Sequence, residues 1–492
     1  MKLSRRDFQK AVGLLALAPW ACSQRDSLPE GVVVNDIHSK LNETRVNRVV
    51  PADSVEAIQS AVEAAKGEGR SVSIAGGRHA MGAQQFGTGT VLLDTTKLNR
   101  VLDFDAERGI VEIEAGIAWP ELIDYTVGAQ QGRPEQWGIA QKQTGADKLS
   151  IGGALAANAH GRGLRMKPFS SDVESFVLID PDGKALTCSR EQNGELFRLV
   201  AGGYGLFGVV ASVKLRLARR QKIERVVEIG MADDVMEAFE QRIADGFIYG
   251  DFQFSIDEGS EDFLRRGVFS CYRPVDPETP IPQEQKQLGK ENWERLLYLA
   301  HSDKAQIFRE YSQYYLSTSG QVYWSDTHQL STYLDDYHIA LDLRLKADTS
   351  ASEMITEIYV PRDQLADFLA EAADDFLHND VNVIYGTVRL IERDDDSFLA
   401  WAREPFVCTI FNLHTAHSPE GLEHSADAFR RLIDMAIRRG GSYFLTYHKW
   451  ARREQVEACY PQFPEFLRLK RKYDPEERFQ SDWYRHYREM FA

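Results

Sequence analysis

Two stretches of the chain join glycine pairs to histidine. One runs Gly76-Gly77-Arg78-His79-Ala80-Met81-Gly82; the other, Leu149–Gly163, holds Ser150, Gly152, Gly153, Ala157, Asn158, His160 and Gly161. Loops of this kind let backbone N–H groups approach phosphate oxygens closely, and a neutral imidazole adds a nucleophilic nitrogen. Neither loop has the G-x-x-x-x-G-K-[ST] pattern, so P-loop chemistry is excluded. Gly203-Tyr204-Gly205-Leu206-Phe207-Gly208 has G-x-G-x-x-G spacing but leads into a strand, with none of the surroundings of a nicotinamide site. A second group of candidates lies late in the chain. By the two-residue period of a strand, Val383, Tyr385, Thr387 and Arg389 share a face; so do Ile410, Asn412 and His414; so do Tyr443, Leu445, Tyr447 and Lys449, with His448 opposite. Polar groups on apolar strands are costly unless paired or used, and these types suit proton transfer and charge stabilisation.

The elements that must position these groups follow from local pattern. Asp53-Ser54 caps a helix with Val55, Ile58, Val62 and Ala65 on one face. Short strands are expected at 71–75, 91–94, 101–104, 109–115, 173–180 and 209–217, and helices at 119–127 and from 195 to 200. Residues 23–48 are a polar lead-in. From about 221 the texture changes to longer alternating strands, such as Phe252–Ile256, Tyr337–Leu345 and Met354–Val360, with a proline-containing connector at 274–291. Residues 421–492 read as helical and charged. Glu392–Asp396 reads as a solvated turn, and Tyr323 to His338 as an aromatic cluster whose faces suit sugar rings or simply a core.

At 492 residues the chain is long enough for two large domains or three smaller ones. Its net charge of −16 argues against nucleic-acid binding. Five cysteines are too few for a disulfide scaffold, and the four beyond the leader are expected to be free. The N-terminal Ser4-Arg5-Arg6-Asp7-Phe8-Gln9-Lys10 resembles the twin-arginine export signal, and the apolar run Ala11–Ala21 is too short to span a bilayer. Residues 1–22 are therefore expected to be an export segment, engaging the twin-arginine machinery and leading to the periplasm or beyond. Cys22 after Ala21 leaves a membrane-anchored lipoprotein as the alternative.

The segments Ile74–Gly82, Leu149–Gly163 and Glu195–Leu217, with Tyr460-Pro461-Gln462-Phe463 and Lys472-Tyr473-Asp474-Pro475 near the end, resemble FAD-linked oxidases of the vanillyl-alcohol oxidase/p-cresol methylhydroxylase superfamily. Within it, the chain is most similar to the alditol, aldonolactone (D-arabinono-1,4-lactone oxidase-like) and decaprenylphosphoryl-ribose oxidase branch. The resemblance implies an α+β fold. A two-part FAD-binding domain of PCMH type comes from residues 45–220 and the C-terminal 421–492, and an antiparallel-sheet substrate domain, 221–420, is inserted between them.

It also implies roles. Ala75, Gly76, Gly77, Arg78, His79 and Ala80 would wrap the FAD, with His79 bonded covalently to the flavin. Arg78 and Ala80 depart from the usual glycine and serine. No cysteine occurs in Thr144–Lys148, so a single link is expected. Ser150, Gly152, Gly153, Ala157, Asn158, His160 and Gly161 would contact the cofactor, and Val209 or Val210 its adenine end. At the reacting face, Arg389 matches the family arginine, Thr387 stands where a glutamate is usual, and His414 is near the family histidine. The family lysine position falls on Tyr447, so the base or flavin-facing group is Tyr447, His448 or Lys449, with Tyr447 and His448 first and Lys449 as an orienting charge.

These readings lead to an exported FAD-dependent oxidoreductase that oxidises a C–OH group of a sugar, polyol or sugar lactone. Electrons would pass to oxygen or to a membrane acceptor. Two rivals are a flavin dehydrogenase for a 2-hydroxy acid and a noncatalytic exported binding protein that keeps the fold.

Overall fold

The computed structural model describes residues 31–331 and 334–492. The export segment and Tyr333 lie outside the described residues.

The first half begins with a capping signal that works as the sequence implies. Ser54 Oγ accepts from the Ala57 N–H at 3.1 Å and starts the helix Val55–Gly67. The helix buries Ile58, Ala61, Val62 and Ala65 against a three-stranded parallel sheet, in the order Arg48–Pro51, Val91–Asp94, Val72–Ala75. A five-stranded antiparallel sheet follows, in the order Ala185–Ser189, Val173–Ile179, Val209–Arg216, Ile110–Glu114, Val101–Asp105. The C-terminal segment comes back to this half: Val72 donates to Arg478 O at 2.7 Å, and Gln480 donates to Val72 O at 2.9 Å.

The second half is an eight-stranded antiparallel sheet. Its order is Val322–Trp324, Lys222–Met231, Arg266–Pro274, Tyr249–Phe254, Val383–Ile391, Phe406–Ala416, Ala351–Pro361, Ser442–Tyr443. The helices Leu365–His378 and Pro419–Arg438 cover one face, where Phe411 meets Phe368 and Phe376. The other face looks toward the glycine-rich loops, with the helices Lys290–Ser302 and Lys304–Leu316 beside it. Helix and antiparallel sheet thus combine as an α+β fold. Cys188, Cys271, Cys408 and Cys459 are all buried and free.

Four local expectations are corrected. Residues Tyr337–Leu345 form a helix rather than a strand; of its apolar residues only Leu341 is buried, so the alternation there reports no sheet face. The strand expected at 443–449 ends at Tyr443, because its partner, Ala351–Pro361, pairs only Ile358 and Tyr359 with it. In Val383–Ile391 one extra residue, Ile384, interrupts the register after Val383. The bulge turns Val383 to the opposite face from Tyr385 and Arg389. Finally, Glu392–Asp396 is no simple solvated turn. Asp394 is buried, accepts from the backbone N–H of Asp396 and Ser397, and accepts from Asn158 Nδ2 at 2.9 Å.

Candidate active site

The two glycine-rich loops pack directly on each other. Ser150 Oγ caps the helix Ile151–Ala157 by accepting from the Gly153 N–H at 3.2 Å. A Cβ on Gly77 would lie 2.2 Å from Lys148 O, so only glycine fits there. Arg78 has a φ of +58°, a left-handed conformation that costs a non-glycine residue roughly 1–2 kcal/mol. Its partners hold it in place: Nη2 reaches Asp94 Oδ2 at 3.2 Å and its carbonyl accepts from the Ile37 N–H at 3.1 Å. The departure from glycine at this position therefore leaves the loop formed.

Between these loops and the large sheet lies a cavity of about 920 Å³. Gly76, Gly77, Arg78, His79, Ala80, Ser150, Gly152, Gly153, Ala157 and Val210 line it, with Gly205–Gly208 beside them. Burial, with smaller contributions from His38 and Lys148, pushes the His79 imidazole down to about 3. It is therefore neutral at working pH, the form in which the ring nitrogen is nucleophilic. The remaining expected cofactor residues are not in the cavity wall. Ala75 and Val209 are core. Asn158 is a left-handed helix cap bonded to Asp394 and Ser170. Gly161 packs on the Lys142 backbone. His160 is buried one layer behind, against Trp401.

On the sheet side, three strands present one face to the cavity. Register sets Tyr385, Asn412 and Ile355 in one row, and Thr387, Ile410 and Glu357 in the next. All but Thr387 line the cavity, as does Arg389. Thr387 instead donates to Phe252 O at 3.2 Å and is covered. Arg389 is 5% exposed, yet its Nε and Nη1 make no hydrogen bond among the described residues.

Beyond Tyr443 the chain turns off the sheet edge and wedges between the halves. Gln84 Nε2 donates to Leu445 O and Thr446 O, and Tyr204 meets Thr446 Oγ1 at 3.2 Å. The turn delivers Phe444, Thr446 and Tyr447 into the cavity wall and takes His448 and Lys449 out of it. His448 stacks on Phe429 and Tyr443 in the core, and burial, helped by Arg430, pushes its imidazole down to about 3. Lys449 is mostly buried, near Asp482, and does not line the cavity. Both placements follow from the loss of strand alternation. His414 lies opposite Glu353 in the register, at 3.2 Å from Oε1, outside the cavity wall that Glu353 joins.

Glu357, a cavity-lining carboxylate, was not singled out by the sequence reading. Tyr447 OH donates to its Oε1 at 2.8 Å; Tyr359 OH and His160 Nε2 meet its Oε2 at 2.8 and 2.9 Å. Burial alone would raise this carboxyl. The charge and hydrogen bond of His160, the bond from Tyr447 and the nearby Arg389 hold it at about 2. Burial, the Glu357 charge and the hydrogen bond to it together push the Tyr447 phenol well up, so it stays protonated. The available signal was Glu353-x-Ile355-x-Glu357: two carboxylates on one face of an apolar strand. From the aromatic cluster, Tyr323, Thr327, His328 and Tyr337 line the cavity. Trp324 stacks under Arg220, 4.1 Å away.

The cavity fits a flavin nucleotide on three counts. It is at the large end of ligand-site volumes. One wall is formed by the close-packed loops. Buried polar atoms without partners (Gln143 Oε1, Thr144 Oγ1 and the Arg389 pair) belong to residues in its lining.

Comparison with known proteins agrees. The family described as FAD binding domain matches residues 46–189. L-galactono-1,4-lactone dehydrogenase 2 of rice (Oryza sativa subsp. japonica) is 30% identical over 42% of this chain and 34% of its own length. Cytokinin dehydrogenase 9 of rice is 23% identical over 74% of this chain and 70% of its own. L-gulono-1,4-lactone dehydrogenase of Mycobacterium tuberculosis is 23% identical over 81% of this chain and 86% of its own. The chain spans only about a third of the rice lactone dehydrogenase it matches. Loop geometry, cavity and family match thus agree on an FAD-binding domain over residues 46–189.

Proposed function

We propose that this chain is an FAD-dependent oxidoreductase that takes a hydride from the C–OH carbon of a sugar lactone or polyol. One observation carries the reading: Tyr447, Glu357 and Arg389 converge on the cavity that the FAD loops also line. The relatives named as lactone dehydrogenases support the substrate class.

The residues that would hold FAD are the Gly76–Ala80 loop, Ser150, Gly153, Ala157 and Val210. When bound, FAD supplies a hydride acceptor, N5 of its ring. The chain supplies the proton path. The Tyr447 O–H is committed to Glu357, so its oxygen lone pairs are the part that accepts the substrate hydroxyl. As hydride leaves the carbon, the hydroxyl proton passes to Tyr447 Oη and the phenolic proton passes to Glu357. The alcohol has then lost one hydride and one proton; Glu357, held at about 2, carries that proton only in passing and releases it to water. Gln143 Nε2, donating to Tyr447 OH at 3.3 Å, fixes the phenol from the loop side. The unpartnered Arg389 N–H groups stabilise negative charge that develops in the site. Neutral His79 is the proposed point of covalent attachment. Oxygen or a membrane carrier would take the electrons, after export by the twin-arginine route.

The free Arg389 fork also favours a second reading, a 2-hydroxy acid whose carboxylate it would pair with. Purified protein denatured in acid and run on a gel tests attachment: a fluorescent band lost in His79→Ala establishes the bond. Anaerobic mixing with L-gulono- and L-galactono-1,4-lactone, polyols and 2-hydroxy acids tests the chemistry. Bleaching of the flavin by lactones or polyols supports the first reading. Bleaching by hydroxy acids alone moves the assignment to the second. Protein that takes up no FAD defeats both.

A further inference from the structure

Four residues before Glu357 on the same strand face, Glu353 sits between two imidazoles from other elements. His301 Nε2, from the helix Lys290–Ser302, lies 3.1 Å from Glu353 Oε1; His414 Nδ1, from Phe406–Ala416, lies 3.2 Å from the same oxygen. All three ligand atoms fall within 4.8 Å of one another. The His301 and Glu353 side chains are each 4% exposed and that of His414 is 26% exposed.

The hydrogen bonds in this group do not close. Among the described residues, His301 Nε2 makes no hydrogen bond although it lies near the carboxylate, and Glu353 Oε2 has no hydrogen-bond partner. An unpartnered carboxylate oxygen buried at this depth is expensive. The Glu357 group, by contrast, has a well-placed partner for each oxygen. Tetrahedral Zn²⁺ with bonds near 2.0–2.1 Å sets its ligand atoms about 3.3 Å apart, which is close to the two separations seen here. Two imidazoles and one carboxylate are also a ligand set that borderline divalent cations accept while keeping a position open. Of the three, Glu353 lines the cavity. Lys304, whose charge acts on His414, is already paired with Glu258 at 2.9 Å.

We propose that His301, Glu353 and His414 form a divalent-metal site of the Zn²⁺ type on the cavity wall. Nothing in this depends on the flavin chemistry, and the test reads the metal by itself.

The full chain, stripped with a chelator, is titrated with Co²⁺ as a visible stand-in for Zn²⁺, with and without FAD. The expected result is one equivalent of Co²⁺ per chain, with ligand-field absorption that Zn²⁺ displaces. His301→Ala and Glu353→Gln should weaken uptake beyond the ~10–100-fold typical of an outer-shell change. His414→Cys guards against misfolding as an explanation: it should keep the metal and add a thiolate-to-cobalt charge-transfer band. Wild-type protein that takes up no more Co²⁺ than the Glu353→Gln variant would overturn the proposal. So would His414→Cys protein that binds Co²⁺ without the thiolate band. A protein that binds Co²⁺ as described but is bleached by no alcohol would retain the metal site and lose the proposed function.

Discussion

Glu353 and Glu357 stand on one strand face, four residues apart, each against histidine, yet they are built differently. Glu357 is sealed: two phenols and an imidazole take its oxygens, and it is fully buried. Glu353 is crowded by two imidazoles on one oxygen, while the other has no hydrogen-bond partner among the described residues. Burial would raise both carboxyls, and in both the histidines outweigh it and hold the group at about 2. Equal charge state with unequal hydrogen bonding separates two jobs. A closed network fixes a proton path in one geometry. An open one leaves coordination capacity unspent. The same strand thus carries the proposed proton relay toward the FAD loops and a candidate metal ligand toward the helical side.

The largest expected effect breaks the closed end. Glu357→Gln keeps the shape and removes the charge that receives the proton, so flavin reduction should slow by about 10²–10⁴-fold. Tyr447→Phe deletes the intermediate step and should fall toward the lower end of that range. Rapid mixing with saturating substrate separates this from weaker binding. If both variants reduce flavin at the wild-type rate, the relay is not where the proton goes, and Glu357 is a structural anion.

A second effect, of intermediate size, concerns the histidine that the chain turn removes from the site. His448 is held neutral at about 3, below the ~6.5 of a free imidazole. Below pH 6.5 the unfolded chain therefore binds a proton that the folded chain refuses, so stability falls as pH drops toward 3. The contribution is about 2 kcal/mol at pH 5. His448→Phe preserves stacking on Phe429 and Tyr443 and should remove that share of the acid loss. Denaturant melts of both proteins at pH 7.5 and 5 measure it. Equal acid loss in both would show that His448 titrates normally in the folded state.

How much of this was legible in the sequence depends on how local the information is. Each flavin loop is contiguous in sequence and Ser150 caps onto Gly153 within its own loop, so the loops and the capped helix at Ser54 could be read directly, whereas the steric demand at Gly77 comes from Lys148 in the other loop. The reacting face could not. Glu357 gains its meaning from His160, 197 residues away, and Tyr447, 90 residues away. The strand expected at 443–449 failed because the chain leaves the edge of its eleven-residue partner strand after pairing with only two of its residues. That is a property of a sheet edge rather than of the segment's own alternation. The bulge at Ile384 reversed Val383 for a similar reason: pleat parity survives only while the ladder has no extra residue.

The smallest expected effect sharpens this contrast between near and far information. Thr387 occupies the position where the resemblance calls for a glutamate, and the carboxylate that faces the cavity is two strands over, in the same cross-strand row through Ile410. Thr387 spends its hydroxyl on Phe252 O, tying Val383–Ile391 to Tyr249–Phe254, where the regular pairing is limited to Phe252 with Val388. Thr387→Val should therefore cost about 1 kcal/mol of stability, the net worth of one buried hydrogen bond, and leave flavin reduction unchanged. Thr387→Glu should do more harm, because it buries a second carboxylate in the same cross-strand row as Glu357. The two variants, compared by thermal melts and by flavin reduction, decide whether the carboxylate function has moved along the row to Glu357. A Thr387→Glu variant that reduces flavin faster than the wild type would show instead that the row still accepts its acid at 387.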